Sequence, residues 1–177
     1  MNEFVPNQTV MLTKEQEALW SNVIGGLFLN FGGIEFLAFR WIQHFASDQS
    51  LADSAFEMLL YKKLKTIRGL VKHSDLTSDA QKRAVELWNE VGRLSKIRNS
   101  VAHNPWVFGK GENGQLVGGI LDLRNSKGSG QRSVPLISVK TIVETARRIA
   151  HIQNELNLLL TQSAVDRIGA ETAKLGS

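Results

Sequence analysis

The chain has 177 residues, of which 42% are hydrophobic and 21% are charged, with a formal net charge of +4 and no cysteine. This composition predicts one ordinary globular domain, and it excludes a disulfide framework, thiolate catalysis and zinc sites with sulfur ligands. The mild positive charge permits a polyanionic partner. The opening segment, MNEFVPNQTV, has neither the basic nor the apolar region of a secretory signal, so we expect a cytoplasmic protein.

A first long helix is predicted to begin after Thr13 and to end at about Phe45. Thr13 and Gln16 have the spacing of a capping box, which opens helices. The middle of this helix approaches the length of a bilayer span, but Asn30 and Glu35 lie within it, and no basic cluster flanks it. A single apolar stripe favours a bundle helix over a membrane span. Its members are Trp20, Val23, Ile24, Leu27, Phe31, Ile34, Ala38, Trp41, Ile42 and Phe45.

Two further helices are predicted, over about 52–73 and 78–103. Ser78 and Gln81 suggest a second capping box, and Pro105 marks the stop because it disfavours helical geometry at the residue before it. The helix over 52–73 has a predicted buried stripe of Phe56, Leu60, Leu64, Ile67 and Val71. Its outer edge is basic and consists of Tyr61, Lys65, Arg68 and Lys72.

After the third helix, the hydrophobic period becomes that of β-strands. The segments WVFG and QLVGGILDL are joined by a loop containing Asn113 and Gly114, which is a strong hairpin signal. A basic loop (124–132) and a short third strand (133–137) complete a predicted β-hairpin insertion over about 106–137.

The last long helix is predicted to begin at Ser138, whose side chain suits an N-cap. We expect the tail from about 163 to 177 to be weakly helical or frayed. The helix has one apolar side, made of Ile142, Ala146, Ile149, Ile152, Leu156 and Leu159.

Arg98 falls near the centre of the apolar face of the helix over 78–103. The other members of that face are Ala80, Ala84, Leu87, Val91, Leu94, Val101 and Ala102. A guanidinium keeps its charge, so burying it alone is very costly. Arg98 must therefore meet a carboxylate, a ligand phosphate or a water-filled cleft. Glu35, on the flank of the first helix's stripe, is the leading internal partner and would give structural support.

His103 follows Arg98 by five residues, which is about 140° around a helix, and a long arginine side chain bridges that separation. Unpaired carbonyls at the helix end favour an imidazolium there. An arginine that stabilises phosphate charge beside a histidine that moves protons suits phosphodiester chemistry.

The segment RNSVAH (98–103) resembles the signature of HEPN-domain proteins, in which an arginine, often followed by a polar residue, precedes a histidine by four to six residues. The resemblance carries over to Arg98, Asn99 and His103 only. It implies an all-α fold, a HEPN-like up-and-down bundle of four to five helices, usually dimeric. The β-hairpin insertion between the third and fourth long helices departs from the simplest bundle, within a single domain over 1–177. In that family, two copies of the motif meet across the dimer interface.

Many HEPN proteins are metal-independent endoribonucleases of toxin–antitoxin or phage-defence systems. The resemblance therefore implies an RNA endonuclease without cofactors, acting as a homodimer, with an antitoxin or regulatory protein as a further partner. His103 would act as general base or acid for attack of the ribose 2′-OH on the adjacent phosphate. Arg98 would bind that phosphate, and Asn99 would orient one or both. The alternative is a non-catalytic HEPN-like dimeric interaction module that binds a partner protein or nucleotide.

A structural interpretation of the same residues stays open. Arg98 would neutralise Glu35, while His103 would cap its helix and stack on Trp106, and Asn99 would be a local hydrogen bonder at the helix end.

Candidate RNA contacts are Trp106, which could stack on a base, and the basic edge residues Lys65, Arg68 and Lys72, which form either an RNA track or a merely solvated face. Arg68 and His73 share the spacing of the motif and serve as its internal decoy, because Gly69 follows Arg68 on a solvated edge. The four histidines are scattered, so the sequence predicts no metal site.

Overall fold

The computed structural model of the chain describes residues 11–104, 106–110, 116–120 and 138–175. This part is mostly helical, which confirms the predicted all-α class. Its five helices are α1 (Lys14–Phe45), α2 (Gln49–Ser54), α3 (Leu60–Lys72), α4 (Ser78–His103) and α5 (Val139–Leu175).

The chain divides into two compact units. Unit 1 comprises Met1–Leu29 and Ser95–Arg147, and unit 2 comprises Asn30–Leu94 and Arg148–Ser177. The single domain over 1–177 and the up-and-down order of the helices stay predictions.

Helix α1 begins as its sequence predicts. The backbone N–H of Thr13 donates to Gln16 Oε1 at 3.0 Å, and the N–H of Gln16 donates to Thr13 Oγ1 at 3.3 Å, which is the predicted capping box. The predicted stripe is buried at most positions, namely at Trp20, Leu27, Phe31, Ile34, Ala38, Trp41 and Ile42.

By length and composition, α1 is the one helix among the described residues that could cross a membrane. The core helix of a soluble protein passes the same criterion, so the cytoplasmic location and the lack of a membrane partner stay predictions.

The predicted single helix over 52–73 is wrong, because α2 and α3 are separate helices. Asp48 caps α2 by accepting the N–H of Ser50 at 2.9 Å, so the helix begins earlier than predicted. The Ser54 hydroxyl bonds back to Leu51 O at 3.0 Å, and Leu59 is extended with ψ at 148°, so the chain leaves helical geometry between them. Phe56 lies in that break and is exposed, whereas the predicted stripe residues Leu64, Ile67 and Val71 are buried.

Helix α4 has the predicted bounds but a different cap. Thr77 Oγ1 accepts the N–H of Ala80 at 3.3 Å, while the side-chain amide of Gln81 donates to Ser74 O and Leu76 O. The predicted Ser78–Gln81 capping box is therefore wrong, since the threonine one residue earlier takes the cap position.

Ala102 was placed on the apolar face of α4 by the sequence, and this placement is wrong. The structure buries its neighbour Val101 and leaves Ala102 exposed. One residue is about 100° of helix rotation, which carries Ala102 away from the side on which Val101 is buried.

Helix α5 opens as predicted, with Ser138 Oγ accepting the N–H of Thr141 at 3.1 Å. Of the two expectations for the tail, weakly helical or frayed, the structure favours the helical one, because α5 continues to Leu175. Two side chains of the tail make tertiary contacts within unit 2 that favour the helix over fraying. Ser163 is buried and bonds to His44, and Arg167 forms an ion pair with Asp75 at 2.6 Å.

Unit 1 contains two short strands, β1 (Trp106–Lys110) and β2 (Leu116–Ile120), which pair antiparallel with Phe108 opposite Gly118. The predicted turn at Asn113 and Gly114, the basic loop (124–132) and the third strand (133–137) lie outside the described residues, so the β-hairpin insertion stays a prediction.

Candidate functional site

Arg98, Asn99 and His103 lie on the last two turns of α4, in unit 1. Arg98 is half-buried, while Asn99 and His103 are exposed. The helix thus presents one partly shielded cation and, one turn later, an imidazole open to solvent.

The Arg98 guanidinium contacts Asn99 and Phe28. Its Nη1 donates to Asn99 Oδ1 at 3.1 Å, and its Cζ lies 5.4 Å from the centroid of the Phe28 ring. A cation over an aromatic face is attracted by the ring quadrupole, by about 0.5–2 kcal/mol depending on solvation. Asn99 contacts Arg98, while its orienting role stays a prediction, and Phe28 is a contact that the sequence analysis missed.

His103 is the last residue of α4, and it makes no hydrogen bond, ion pair or ring contact with another described residue. Other side chains satisfy the last carbonyls of this helix. Asn104 Nδ2 donates to Ser100 O at 3.2 Å, and Trp106 Nε1 donates to Val101 O at 3.2 Å. The structural interpretation of His103, a helix cap stacked on Trp106, is therefore wrong.

Trp106 belongs to an aromatic cluster with Trp20 and Phe108. Trp20 meets the other two rings edge-on at 5.1 and 5.3 Å between centroids, and Trp106 stacks on Phe108 at 6.2 Å. Sequence reasoning missed this cluster. The available signal was the pair of aromatic residues two apart on a strand, which places both on one face.

Trp106 is half-buried, and its indole N–H is already used, so any RNA base could reach only its remaining surface. Its stacking role stays a prediction. Glu35 is half-buried and belongs to unit 2, and its pairing with Arg98 also stays a prediction.

The basic edge lies on α3, in unit 2. Lys65 and Lys72 are exposed, as an RNA track would require, but Arg68 is half-buried and its Nη1 donates to Asn89 Oδ1 at 3.0 Å. The sequence analysis placed Arg68 on a solvated edge, and the structure corrects this because the side chain is half-buried and bonded to Asn89. The decoy histidine, His73, is exposed at the C-cap of α3.

Within the described residues, no group of three or more His, Asp or Glu side chains is arranged to hold a metal ion. The chemistry available on the last turns of α4 is that of a fixed guanidinium, an amide and an exposed imidazole. These groups bind anionic oxygen and transfer protons at neutral pH.

The chain matches no protein-family model, no curated protein and no solved structure.

Proposed function

We propose that the protein is a metal-independent RNA endonuclease of HEPN type that acts as a cytoplasmic homodimer. The observation that carries the proposal is the imidazole of His103 at the end of α4, which is exposed and has no hydrogen bond, ion pair or ring contact with another described residue, five residues beyond a guanidinium that contacts Asn99 and Phe28. A histidine that only stabilised its helix would make contacts there, whereas a histidine that transfers protons must be reachable.

The reaction needs no group beyond these side chains and the RNA itself. The ribose 2′-oxygen attacks the adjacent phosphorus as its proton passes to a base, and the bond to the 5′-oxygen breaks as that oxygen receives a proton. The products are a 2′,3′-cyclic phosphate and a 5′-hydroxyl. His103 transfers a proton, and Arg98 neutralises the charge that develops on the phosphoryl oxygens.

Two protons move in this reaction, and each chain supplies one His103. A second copy supplies the second imidazole, so that one acts as base and the other as acid. Trp106 and the cations Lys65, Arg68 and Lys72 would contact the RNA, and an antitoxin or regulatory protein of a toxin–antitoxin or phage-defence system would restrain the activity.

The experiment is cleavage of single-stranded RNA by the purified protein in EDTA, with analysis of the product ends. Wild type should leave 2′,3′-cyclic phosphate ends. His103→Ala should abolish cleavage with little change in melting temperature, because the side chain is exposed and makes no hydrogen bond, ion pair or ring contact with another described residue. His73→Ala is the matched control, since His73 is also exposed at a helix end, and it should cleave normally.

Loss of cleavage in EDTA with recovery in magnesium would refute the metal-independent mechanism. Equal effects of His103→Ala and His73→Ala would remove the reason to place the site on α4.

A second candidate function, a non-catalytic interaction module, is favoured by one feature of unit 2. Phe36, Phe39 and Phe56 form a chain of ring contacts at 6.2 and 5.8 Å, and Phe36 and Phe56 are 61% and 74% exposed. Exposed aromatic clusters mark binding surfaces more often than isolated exposed residues do. A protein that fails to cleave RNA, and whose oligomeric state changes in a Phe36→Ser, Phe56→Ser double variant, would be such a module.

A further inference from the structure

Unit 2 contains a cavity of about 380 Å³ that is lined by α1 and α5. Its lining residues are Arg40, Gln43, His44, Leu160, Thr161 and Ala164. This volume is within the range of small-molecule sites, about 300–1,000 Å³. The lining combines an apolar wall with hydrogen-bonding groups and two residues that carry or accept positive charge.

A series of hydrogen bonds links His44 to Ser163 and Ser163 to Asp75. Its Nε2 lies 3.0 Å from Ser163 Oγ, and the Ser163 hydroxyl donates to Asp75 Oδ1 at 3.4 Å. Because that proton is directed to Asp75, the serine oxygen accepts from Nε2–H of His44. This assignment leaves Nδ1 of His44 as the atom that takes up a further proton.

The charges around His44 are mostly positive. Arg167 donates from Nη1 to His44 O at 2.8 Å and from Nε to Asp75 Oδ2 at 2.6 Å, so the carboxylate of Asp75 is already engaged. Arg40 lies on the cavity wall, is exposed, and forms no ion pair with a described residue. Arg40 and Arg167 face His44, and Asp75 is the opposing charge. The excess of positive charge favours binding of an anion in the cavity.

The direction in which the pKa of His44 is shifted agrees with this geometry. Burial lowers the pKa of His44 below its ordinary value of 6.5, and the charges of Arg167 and Arg40 lower it further, while Asp75 raises it. An anion placed beside Arg40 would reverse the effect of the arginines and draw a proton onto the ring.

We propose that this cavity binds a small molecule through an oxyanion group, a phosphate or a carboxylate, which Arg40 contacts and which His44 engages by taking up a proton. Gln43 and Thr161 add hydrogen-bonding groups at the same wall, and Leu160 and Ala164 contact the apolar part of the ligand. This site belongs to unit 2 and involves none of the residues proposed for RNA cleavage. The proposal of anion binding therefore does not depend on the proposal of RNA cleavage.

The test is an NMR titration of the His44 imidazole against pH, in the full chain, with inorganic phosphate, AMP or succinate as probe. The probe should raise the pKa of His44 in a saturable way. Its affinity should increase as the pH falls, by up to about tenfold per pH unit between the free and bound pKa values. Phosphate and AMP acting without succinate would specify a phosphate, and succinate acting without them would specify a carboxylate.

Arg40→Gln should lower the affinity by about ten- to hundredfold, as expected for loss of one charge-assisted hydrogen bond. Since Arg40 is exposed and forms no ion pair among the described residues, this variant should fold normally. Arg93→Gln is the matched control, because Arg93 is an exposed arginine of the same unit that does not line the cavity, and it should bind like wild type.

Three results would overturn the proposal. The first is an unchanged His44 titration with all three probes, and the second is an equal loss of affinity in Arg40→Gln and Arg93→Gln. The third is a shift that single-stranded RNA causes and none of the small anions does, which would make the cavity part of an RNA-binding surface.

Discussion

Gly118→Ala on β2 adds a single methyl group, and its effect on the free energy of unfolding can be estimated from the contacts around it. A Cβ atom at this position would lie 2.6 Å from both Cη2 and Cζ2 of Trp20 and 3.2 Å from Cε1 of Phe108. Trp20 is only 4% exposed and is in contact with Trp106 and Phe108, so its ring has little room to move. Gly118→Ala therefore forces a rigid ring to shift by nearly one ångström.

The expected magnitude follows from two opposing effects. Replacing glycine by alanine in a strand without a clash would stabilise the fold by about 0.5–1 kcal/mol, because the unfolded chain loses freedom. Overpacking of a filled core typically costs about 1–3 kcal/mol. We expect the clash to prevail, with a net loss of about 1–2 kcal/mol. In a chain of this size, that loss lowers the melting temperature by about 2–8 °C.

Thermal unfolding followed by circular dichroism measures the loss, and two further variants isolate its cause. Gly169→Ala on α5 has nothing within 4 Å of its Cβ and should be neutral or stabilising. In a Trp20→Phe background, the distal indole carbons are absent, so Gly118→Ala should cost much less there than in wild type. An unchanged melting temperature for Gly118→Ala would refute the reasoning, as would an equal cost in the two backgrounds.

Two further predictions concern the shared site and the behaviour in acid. Arg98→Ala and His103→Ala should each abolish cleavage, but mixing the two variants should restore part of it if the arginine of one copy serves the histidine of the other. A monomer at micromolar concentration in light scattering would refute the shared site. In unit 2, Arg148 holds the pKa of Glu90 below its ordinary value of 4.5, chiefly through hydrogen bonds of 2.7 Å. This stabilisation is present above pH 4.5 and is lost as the pH falls through the lowered pKa, so wild type should lose more stability than Arg148→Gln between pH 7 and pH 3 in urea unfolding. The difference should be no more than about 1 kcal/mol, since the pair is partly exposed, and equal losses would refute it.

The sequence predicts the long helices well because their signals are local. The capping pair of Thr13 and Gln16, the serine before α5 and the proline after α4 each act within a few residues. The failures also have local causes. Asp48 and Ser54 both offer the backbone hydrogen bonds that compete with a continuous helix, but the apolar period across the segment gives no sign of the break.

The polar surroundings of His44 could not have been found from the sequence. His44 lies on α1, Asp75 between α3 and α4, and Arg167 on α5, and each is an ordinary polar residue at its own position. Only the contacts between them reveal a histidine surrounded by arginines. For the aromatic cluster, the strand pattern places Trp106 and Phe108 on one face, but Trp20 lies 86 residues before Trp106, so the local pattern does not show that it joins them.

The two arginine–histidine pairs of equal spacing differ in what surrounds the arginine rather than the histidine. His73 and His103 are both exposed at helix ends, so exposure alone gives no reason to prefer one of them. Arg68 on α3 donates a hydrogen bond to Asn89 on α4, so its guanidinium links these two helices. Arg98 donates a hydrogen bond to Asn99, the residue beside it, and Asn99 is exposed, so a ligand can also reach that amide. The comparison of His103→Ala with His73→Ala therefore decides between the two histidines by their effect on cleavage.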